Sequence, residues 1–521
     1  MHDVIVIVWV GFIFVSAVFF ASSSMLYLIQ SKKIKFDQGF LLSLSAFVIA
    51  ITLSLSIWPP VHRVYDDEFT YISQSTNIII SGKANITLKG SRLKSELFAS
   101  WTANTKLPGF SFLEAVILFL TKDFNYGYFI LNIILGALAV AVVYRIAWLL
   151  TSSQLVSWWS AIFLACLPAR ITYSMSAASD IAGLFLFLLF FLFIYEYRDT
   201  KLKRLLYAAL FSGAYCICIK QFYGIFIVSG LFAALYIYRR DGLLVGKALN
   251  QVSLDATCIF LPILIAIPLM FASDTKVGAF SFSFMLKNVY ISICYLFNGQ
   301  ESLPLMALSG LVAVLASIFY KKDNLVNGFA LWFMMGLLMI SVFCGGGISY
   351  PGFAYSDRYI LSIALPFTFI AGKGMEEITS RCRSPFWGGL FLLVLLINAI
   401  FASNDLTVKA KNNFYYQEIS LLKQAIQLLP NDAYILNECA ALVVTISPKK
   451  AIQTEIFLNG DHPRKVIIFE GIPDDFYNPE DFKKINLLNS ILKAEYSCKP
   501  LTASPLKEGG LSATPMLCVK N

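Results

Sequence analysis

FNYGYFILNIILGALAVAVVYRIAWLL, residues 124–150, decides what kind of protein this is. About 20 mainly apolar residues cross the hydrocarbon core of a bilayer, about 30 Å thick, and this run is longer. The runs from Val4 to Ile29 and from Gly39 to Trp58 pass the same test. Composition agrees: of 521 residues 58% are hydrophobic, 15% aromatic and 14% charged, with a mean hydropathy of +0.69. A soluble globular chain averages about 25% charged and about 45–50% apolar residues, so a water-facing fold could not hide this much apolar surface. The first run follows His2 and Asp3 rather than a basic stretch and exceeds the apolar core of a signal peptide, so it reads as a retained helix.

The formal net charge is +9, but the Lys and Arg residues are dispersed between apolar spans, which excludes nucleic acid as the partner they serve. They follow the positive-inside pattern instead. The basic loops hold Lys32, Lys33 and Lys35; Arg198, Lys201, Lys203 and Arg204; Arg239, Arg240 and Lys247; Lys321 and Lys322; and Lys373, Arg381 and Arg383. With all five in the cytoplasm, spans are expected at 4–29, 39–58, 124–149, 155–171, 180–196, 205–219, 222–238, 254–272, 304–320, 327–345, 360–376 and 386–402. The expected fold class is an all-α polytopic membrane protein of about twelve transmembrane helices with both termini outside. Gly109 to Leu120 is apolar but short and reads as an interfacial or re-entrant helix; a crossing there would invert every downstream loop.

Beyond residue 404 the composition changes. Tyr415 to Leu429 reads as an amphipathic helix and Lys465 to Phe469 as a buried strand, separated by Pro, Asn and Asp turn signals. Residues 404–521 are therefore expected to form a small soluble α/β domain outside the membrane. Three of the ten cysteines, Cys439, Cys498 and Cys518, lie there. An oxidising compartment permits a Cys498–Cys518 disulfide, which spacing alone leaves open.

The first outer loop, residues 59–123, opens with Arg63-Val64-Tyr65-Asp66-Asp67-Glu68-Phe69-Thr70-Tyr71. Three adjacent carboxylates repel one another, and desolvation at a membrane surface adds to the cost of ionising all of them, so at least one is expected to titrate high and to suit general-base work on a hydroxyl. Lys106, Asp180, Lys220 and Arg358 fall on the same outer side. Taken singly, Asp180 is a helix N-cap, Lys106 and Lys220 are snorkelling anchors, and Arg358 pairs with its neighbour Asp357. Taken together, acidic groups and cations on one face describe a site for a hydroxyl acceptor and a phosphate-bearing donor.

These motifs carry a resemblance. Asp67-Glu68-Phe69-Thr70-Tyr71 followed by Ile80-Ser81-Gly82-Lys83 resembles the opening of the first outer loop in GT-C glycosyltransferases, which include protein O-mannosyltransferases and lipid A aminoarabinose transferases. Lys106-Leu107-Pro108-Gly109 resembles their Lys-Pro segment with one residue inserted, Tyr173 to Asp180 their Tyr-Ser…Asp element, Lys220 the Lys of their Gly…Lys helix pair, and Asp357-Arg358-Tyr359 with Pro366 their Arg-Tyr…Pro element. The similarity runs in order over about residues 39 to 402. It divides the chain into an extra N-terminal transmembrane helix and cytoplasmic loop (1–38), a GT-C-like transmembrane domain (39–403) and the outer domain (404–521). It implies an inverting glycosyltransferase of the cell inner membrane that takes a sugar from a polyprenyl-phosphate carrier to a protein, lipid or glycan hydroxyl on the extracytoplasmic face.

By that resemblance Asp67 is the catalytic base, with Glu68 or Asp66 assisting. Lys106, Lys220 and Arg358, with Tyr359 beside it, hold the leaving phosphate, and Asp180 orients or ligates in the pocket. Thr70 stands where the aminoarabinose branch has Arg, so that phosphate contact is either missing or supplied by Arg63 or Arg92; Thr105 stands where it has Glu. A divalent cation is the one cofactor left open, and with three histidines and no His/Cys cluster no metal ligand is assigned. Two rivals predict other patterns. An O-antigen ligase or polymerase places its signature in a late outer loop, and a secondary transporter shows inverted repeats with broken helices and charges near the midplane.

Overall fold

The computed structural model describes residues 2–30, 38–63, 65–92, 94–99, 107–123, 126–220, 223–224, 227, 323–343, 357–382, 385–411, 414–437, 440–447, 449–470, 479–502, 504–508 and 511–521. They form two compact units: Val8–Pro60 with Phe129–Thr407, the helical unit, and Met1–Ile7, Val61–Tyr128 and Val408–Asn521, the sheet unit. The chain is mostly helical.

The helical unit contains α1 (His2–Gln30) and α2 (Gln38–Leu55). After α3 (Tyr65–Ser81) and α4 (Gly109–Thr121) of the sheet unit come α5 (Gly127–Thr151), α6 (Gln154–Ala165), α7 (Pro168–Ser174), α8 (Asp180–Thr200) and α9 (Lys203–Ile219). Then follow α10 (Asn324–Phe343), a 3-10 turn (Asp357–Ile363), α11 (Ala364–Cys382) and α12 (Pro385–Lys411). Among the described residues, Ile7–Ile29, Gln38–Leu55, Gly127–Thr151, Asp180–Thr200 and Phe386–Val408 are long and apolar enough to cross a membrane. The expected span 155–171 is broken. Pro168 has no N–H, and its ring would meet the carbonyl four residues back, so α6 stops at Ala165 and α7 leaves with a 57° bend. The expected span 360–376 begins as the 3-10 turn rather than as α-helix. Expected spans at 222–238, 254–272 and 304–320 fall outside the described residues, apart from Tyr223, Gly224 and Ile227.

α8 is apolar around its whole circumference and buried along most of its length, as an interior helix must be. It packs along α9 and is pinned to α5 by Arg145, whose Nε and Nη2 donate to Glu196 Oε1 at 2.8 and 2.6 Å. α1 runs antiparallel to α9 through an aromatic ladder: Phe12 and Phe20 meet Phe211 and Phe14 meets Tyr215, while the Arg204 guanidinium stacks 3.4 Å from the Tyr27 ring.

The sheet unit takes α3 (Tyr65–Ser81), strands β1 (Ile86–Ser91) and β2 (Lys94–Ala99) and α4 (Gly109–Thr121) from the first loop. From the C-terminal segment come α13 (Phe414–Ile426), β3 (Tyr434–Asn437), α14 (Ala440–Ile446), β4 (Lys450–Gln453), α15 (Thr454–Leu458), β5 (Lys465–Glu470), α16 (Pro479–Glu495), β6 (Tyr496–Pro500), β7 (Leu506–Glu508) and β8 (Leu511–Lys520). The strand order is β2-β1-β4-β3-β5-β8-β6, with β7 on β8; β3 pairs parallel with β4 and β5, and the other pairs are antiparallel. Cys498 and Cys518 stand opposite each other on β6 and β8 and form a disulfide.

The first loop is therefore built into the C-terminal sheet. Lys89 and Gly90 of β1 pair with Ile452 and Ala451 of β4. On the sheet surface Lys89 Nζ binds both oxygens of Asp461 at 2.9 Å, and the Tyr434 hydroxyl donates to Glu96 at 2.5 Å. One sheet thus holds strands from both segments. Phe69 of α3 is fully buried in the core made by Ile419, Leu422, Ile435, Leu442 and Ile467 of the C-terminal segment. Phe69→Ala is expected to cost about 3–5 kcal/mol, the range for emptying a buried Phe site, and to lower the unfolding temperature of the purified protein. An unchanged transition would contradict this packing.

Candidate active site

In the sheet unit the acidic run opens α3, where the helix dipole favours carboxylates. Glu68 is fully buried and both its oxygens are in use: the Arg63 backbone N–H donates to Oε1 at 2.8 Å, and His62 Nδ1 hydrogen-bonds Oε2 at 2.7 Å. The His62 ring lies 4.6 Å from the Phe69 ring and 6.1 Å from that of Tyr128. Glu68 thus ties the segment before α3 to its first turn. Asp67, one residue earlier, is only half-buried, and Asp66 lies in the same turn.

One turn further along, α3 meets α4 across a polar seam. Ser111 donates to Gln74 Oε1 at 2.6 Å, and Ser75 Oγ lies 2.6 Å from the Tyr71 carbonyl and 2.8 Å from Glu114 Oε2. A hydroxyl has one proton to give. If Ser75 gives it to the Tyr71 carbonyl, the contact with Glu114 requires a protonated carboxyl that donates to Ser75. Desolvation of this fully buried group pushes its pKa well above the ordinary value, and the charge of Glu68 adds to the shift. Glu114, outside the acidic run singled out in the sequence, is therefore a strongly raised carboxyl.

Arg92 caps α14: Nε donates to the Val444 carbonyl at 3.0 Å and Nη2 to that of Thr445. Lys106 lies outside the described residues.

In the helical unit the other expected residues converge. Lys220, at the C-cap of α9, pairs through Nζ with Asp180 Oδ1 at the start of α8. Asp180 is 1% exposed, too deep to serve as a mere surface cap. Lys220 Nζ also lies 5.8 Å from the Tyr359 ring centre. The Arg358 guanidinium stands 5.1 Å from the same ring and donates through Nη2 to the Tyr359 hydroxyl at 3.3 Å. Among the described residues two cations thus flank one aromatic ring beside the buried carboxylate of Asp180. The run before Asp180 is held from α5, where buried Asn132 Nδ2 donates to the carbonyls of Ser176 at 2.7 Å and Ala178 at 2.9 Å. Tyr223 packs against Gly183, where a Cβ would collide with its ring, and its hydroxyl reaches the Asp180 carbonyl at 3.4 Å. Among the described residues no three His, Cys, Asp or Glu side chains cluster as a bound metal needs.

No protein-family model and no curated protein matches the sequence. Two crystal structures of ArnT from Cupriavidus metallidurans match in three dimensions. One, bound to undecaprenyl phosphate, gives a TM-score of 0.56, and the other, in the apo state, 0.55. Each is 11% identical and covers 92% of this chain and 97% of its own. The chain shares the fold of these ArnT structures.

Within that fold, four residues named from three separate motifs, Asp180, Lys220, Arg358 and Tyr359, form one cluster. Sequence reasoning missed His62, Asn132 and Glu114. His62 and Glu114 each carried a signal, one as a rare histidine six residues before Glu68, the other as the single charge inside an apolar stretch. Glu114→Gln is expected to preserve the α3–α4 contact and to remove a pH dependence. With its folded pKa raised, Glu114 contributes stability that is complete below the ordinary carboxyl range and lost as pH rises through the raised value. Thermal unfolding across neutral and alkaline pH should therefore fall in the wild type and stay flatter in the variant; parallel curves would contradict a protonated Glu114.

Proposed function

We propose that this chain is a membrane-embedded inverting glycosyltransferase. It moves a sugar from a polyprenyl-phosphate carrier to a hydroxyl of a protein, lipid or glycan on the extracytoplasmic face of the inner membrane. The observation that carries this is the cluster of Lys220, Arg358 and Tyr359 around Asp180, assembled from distant motifs within a fold like that of ArnT. That an ArnT structure is bound to undecaprenyl phosphate supports a carrier of this chemical class.

The acceptor proton goes to Asp67. As it leaves, the acceptor oxygen attacks the anomeric carbon from the face opposite the carrier. The bond from that carbon to the phosphate oxygen breaks with its electron pair, so configuration inverts and the charge accumulates on polyprenyl phosphate. Glu68 has both oxygens occupied and serves by holding His62 and the start of α3, which leaves Asp66 as the assisting carboxylate. Lys220 and Arg358 offset the growing phosphate charge, joined by Lys106 in the assignment carried from sequence. Fixed cations in a water-poor site do this better than water, because they need no reorganisation as the charge develops. Asp180 keeps Lys220 aimed, and Tyr359 spaces the two cations.

The test is to incubate the purified protein with a panel of polyprenyl-phosphate sugars and hydroxyl acceptors and to follow release of free polyprenyl phosphate. Asp67→Asn is expected to lose about 10²–10⁴-fold in rate, the usual contribution of a general base, while still folding and inserting. Lys220→Met is expected to lose about 10²–10³-fold, as when one fixed donor to a developing anion is removed. Wild-type turnover by Asp67→Asn would remove it from the mechanism. If the wild type consumes no carrier with any acceptor, transport of the lipid-linked sugar becomes the better account.

A further inference from the structure

Arg170 is fully buried in the helical unit, and no acidic side chain is among its partners in the described residues. Nη1 donates to the Ala50 carbonyl and to Ser54 Oγ, both at 2.9 Å, and Nη2 donates to the Ala165 carbonyl. Ser54 in turn donates to the Ala50 carbonyl at 3.0 Å, which closes the network. Nε has no partner among the described residues. A guanidinium in this setting needs negative charge from somewhere. The acceptors supply it by their position: Ala165 ends α6, and Ala50 and Ser54 lie in the last turns of α2. Each helix C-terminus carries about −0.5 of a charge, so two together offset one cation.

The position of Arg170 in the chain gives this arrangement its consequence. The break at Pro168 deprives the Ala165 carbonyl of its helical donor, and Arg170, in the first turn of α7, takes that place. The chain from Arg170 to Asp180 is then fixed step by step. Thr172 Oγ1 donates to the Pro168 carbonyl at 2.9 Å, the Ala178 N–H donates to Ser176 Oγ at 3.0 Å, Ser174 abuts Gly136, and Asn132 holds the carbonyls of Ser176 and Ala178. Every residue from Pro168 to Asp180 is buried.

We infer that Arg170 is the positioning residue for the Asp180–Lys220 pair: it fastens the broken span to the ends of α2 and α6 and so fixes where the Asp180 carboxylate stands. Its effect on phosphate binding rests on the function proposed above; its effect on the ion pair does not.

Two readouts on the purified full-length protein separate these. The first is the rate at which an amine-acylating reagent modifies Lys220, followed by mass spectrometry, since pairing with Asp180 holds the ammonium back from reaction. Arg170→Met and Asp180→Asn should each accelerate modification severalfold, and the double variant should go no faster than the faster single one, the non-additivity expected when one residue acts through the other. Arg170→Lys, which keeps the charge but reaches fewer acceptors, should fall between. A folded Arg170→Met protein with Lys220 modified at the wild-type rate would overturn the inference, and so would fold-changes that multiply in the double variant. Should Arg170→Met not fold, Ser54→Ala carries the test: it removes one acceptor and should accelerate modification less but in the same direction, and a wild-type rate there would overturn the inference too. The second readout is retention of undecaprenyl phosphate. Its absence in the wild type would contradict the phosphate site while leaving the Lys220 result to judge Arg170.

Discussion

The ion pair between Asp180 and Lys220 is the contact on which the functional account turns. A lysine at the end of α9 and an aspartate at the start of α8 are both removed from water, and each makes the other tolerable there. The pair leaves the ammonium next to a second cation, Arg358, with the Tyr359 ring between them. Among the described residues one carboxylate, Asp180, faces the two cations. Under the proposed function that pair of cations meets the carrier phosphate, and the buried Asp180 offsets the repulsion between them.

A second constraint is the shared sheet. Strands β1 and β2 precede most of the helices and β3 to β8 follow them, yet Lys89 and Gly90 pair with Ile452 and Ala451. The acidic run of α3 thus sits on a bed made largely by the C-terminal segment, with Phe69 in its core and Arg92 capping α14. The C-terminal segment is part of what holds Asp66, Asp67 and Glu68, whatever else it binds.

The sequence made some of this readable and concealed the rest for physical reasons. Apolar run length marks α1, α2, α5, α8 and α12 because the bilayer imposes a minimum length. The cluster at Asp180 was legible because charged residues are costly near the membrane and few were present. The strands of the first loop were not: β1 is irregular, with register shifts at Lys89, and its stability comes from partners some 360 residues away that local periodicity cannot register. The break at Pro168 was hidden because the residues on both sides are apolar, and Arg170 passed unnoticed inside that stretch although an intramembrane arginine is a signal in itself. Glu68 read as a catalytic carboxylate from its motif, while its occupation by His62 and the Arg63 N–H could be seen only in three dimensions.

Binding of undecaprenyl phosphate without its sugar tests the central claim most directly, because it isolates phosphate recognition from chemistry. Titrated into the purified protein, the lipid should bind the wild type, and both Lys220→Met and Arg358→Met should weaken it by about tenfold or more each, the equivalent of about 1.4 kcal/mol per lost contact. Equal affinity across wild type and both variants, in proteins that remain folded, would show that these cations do not hold the carrier phosphate.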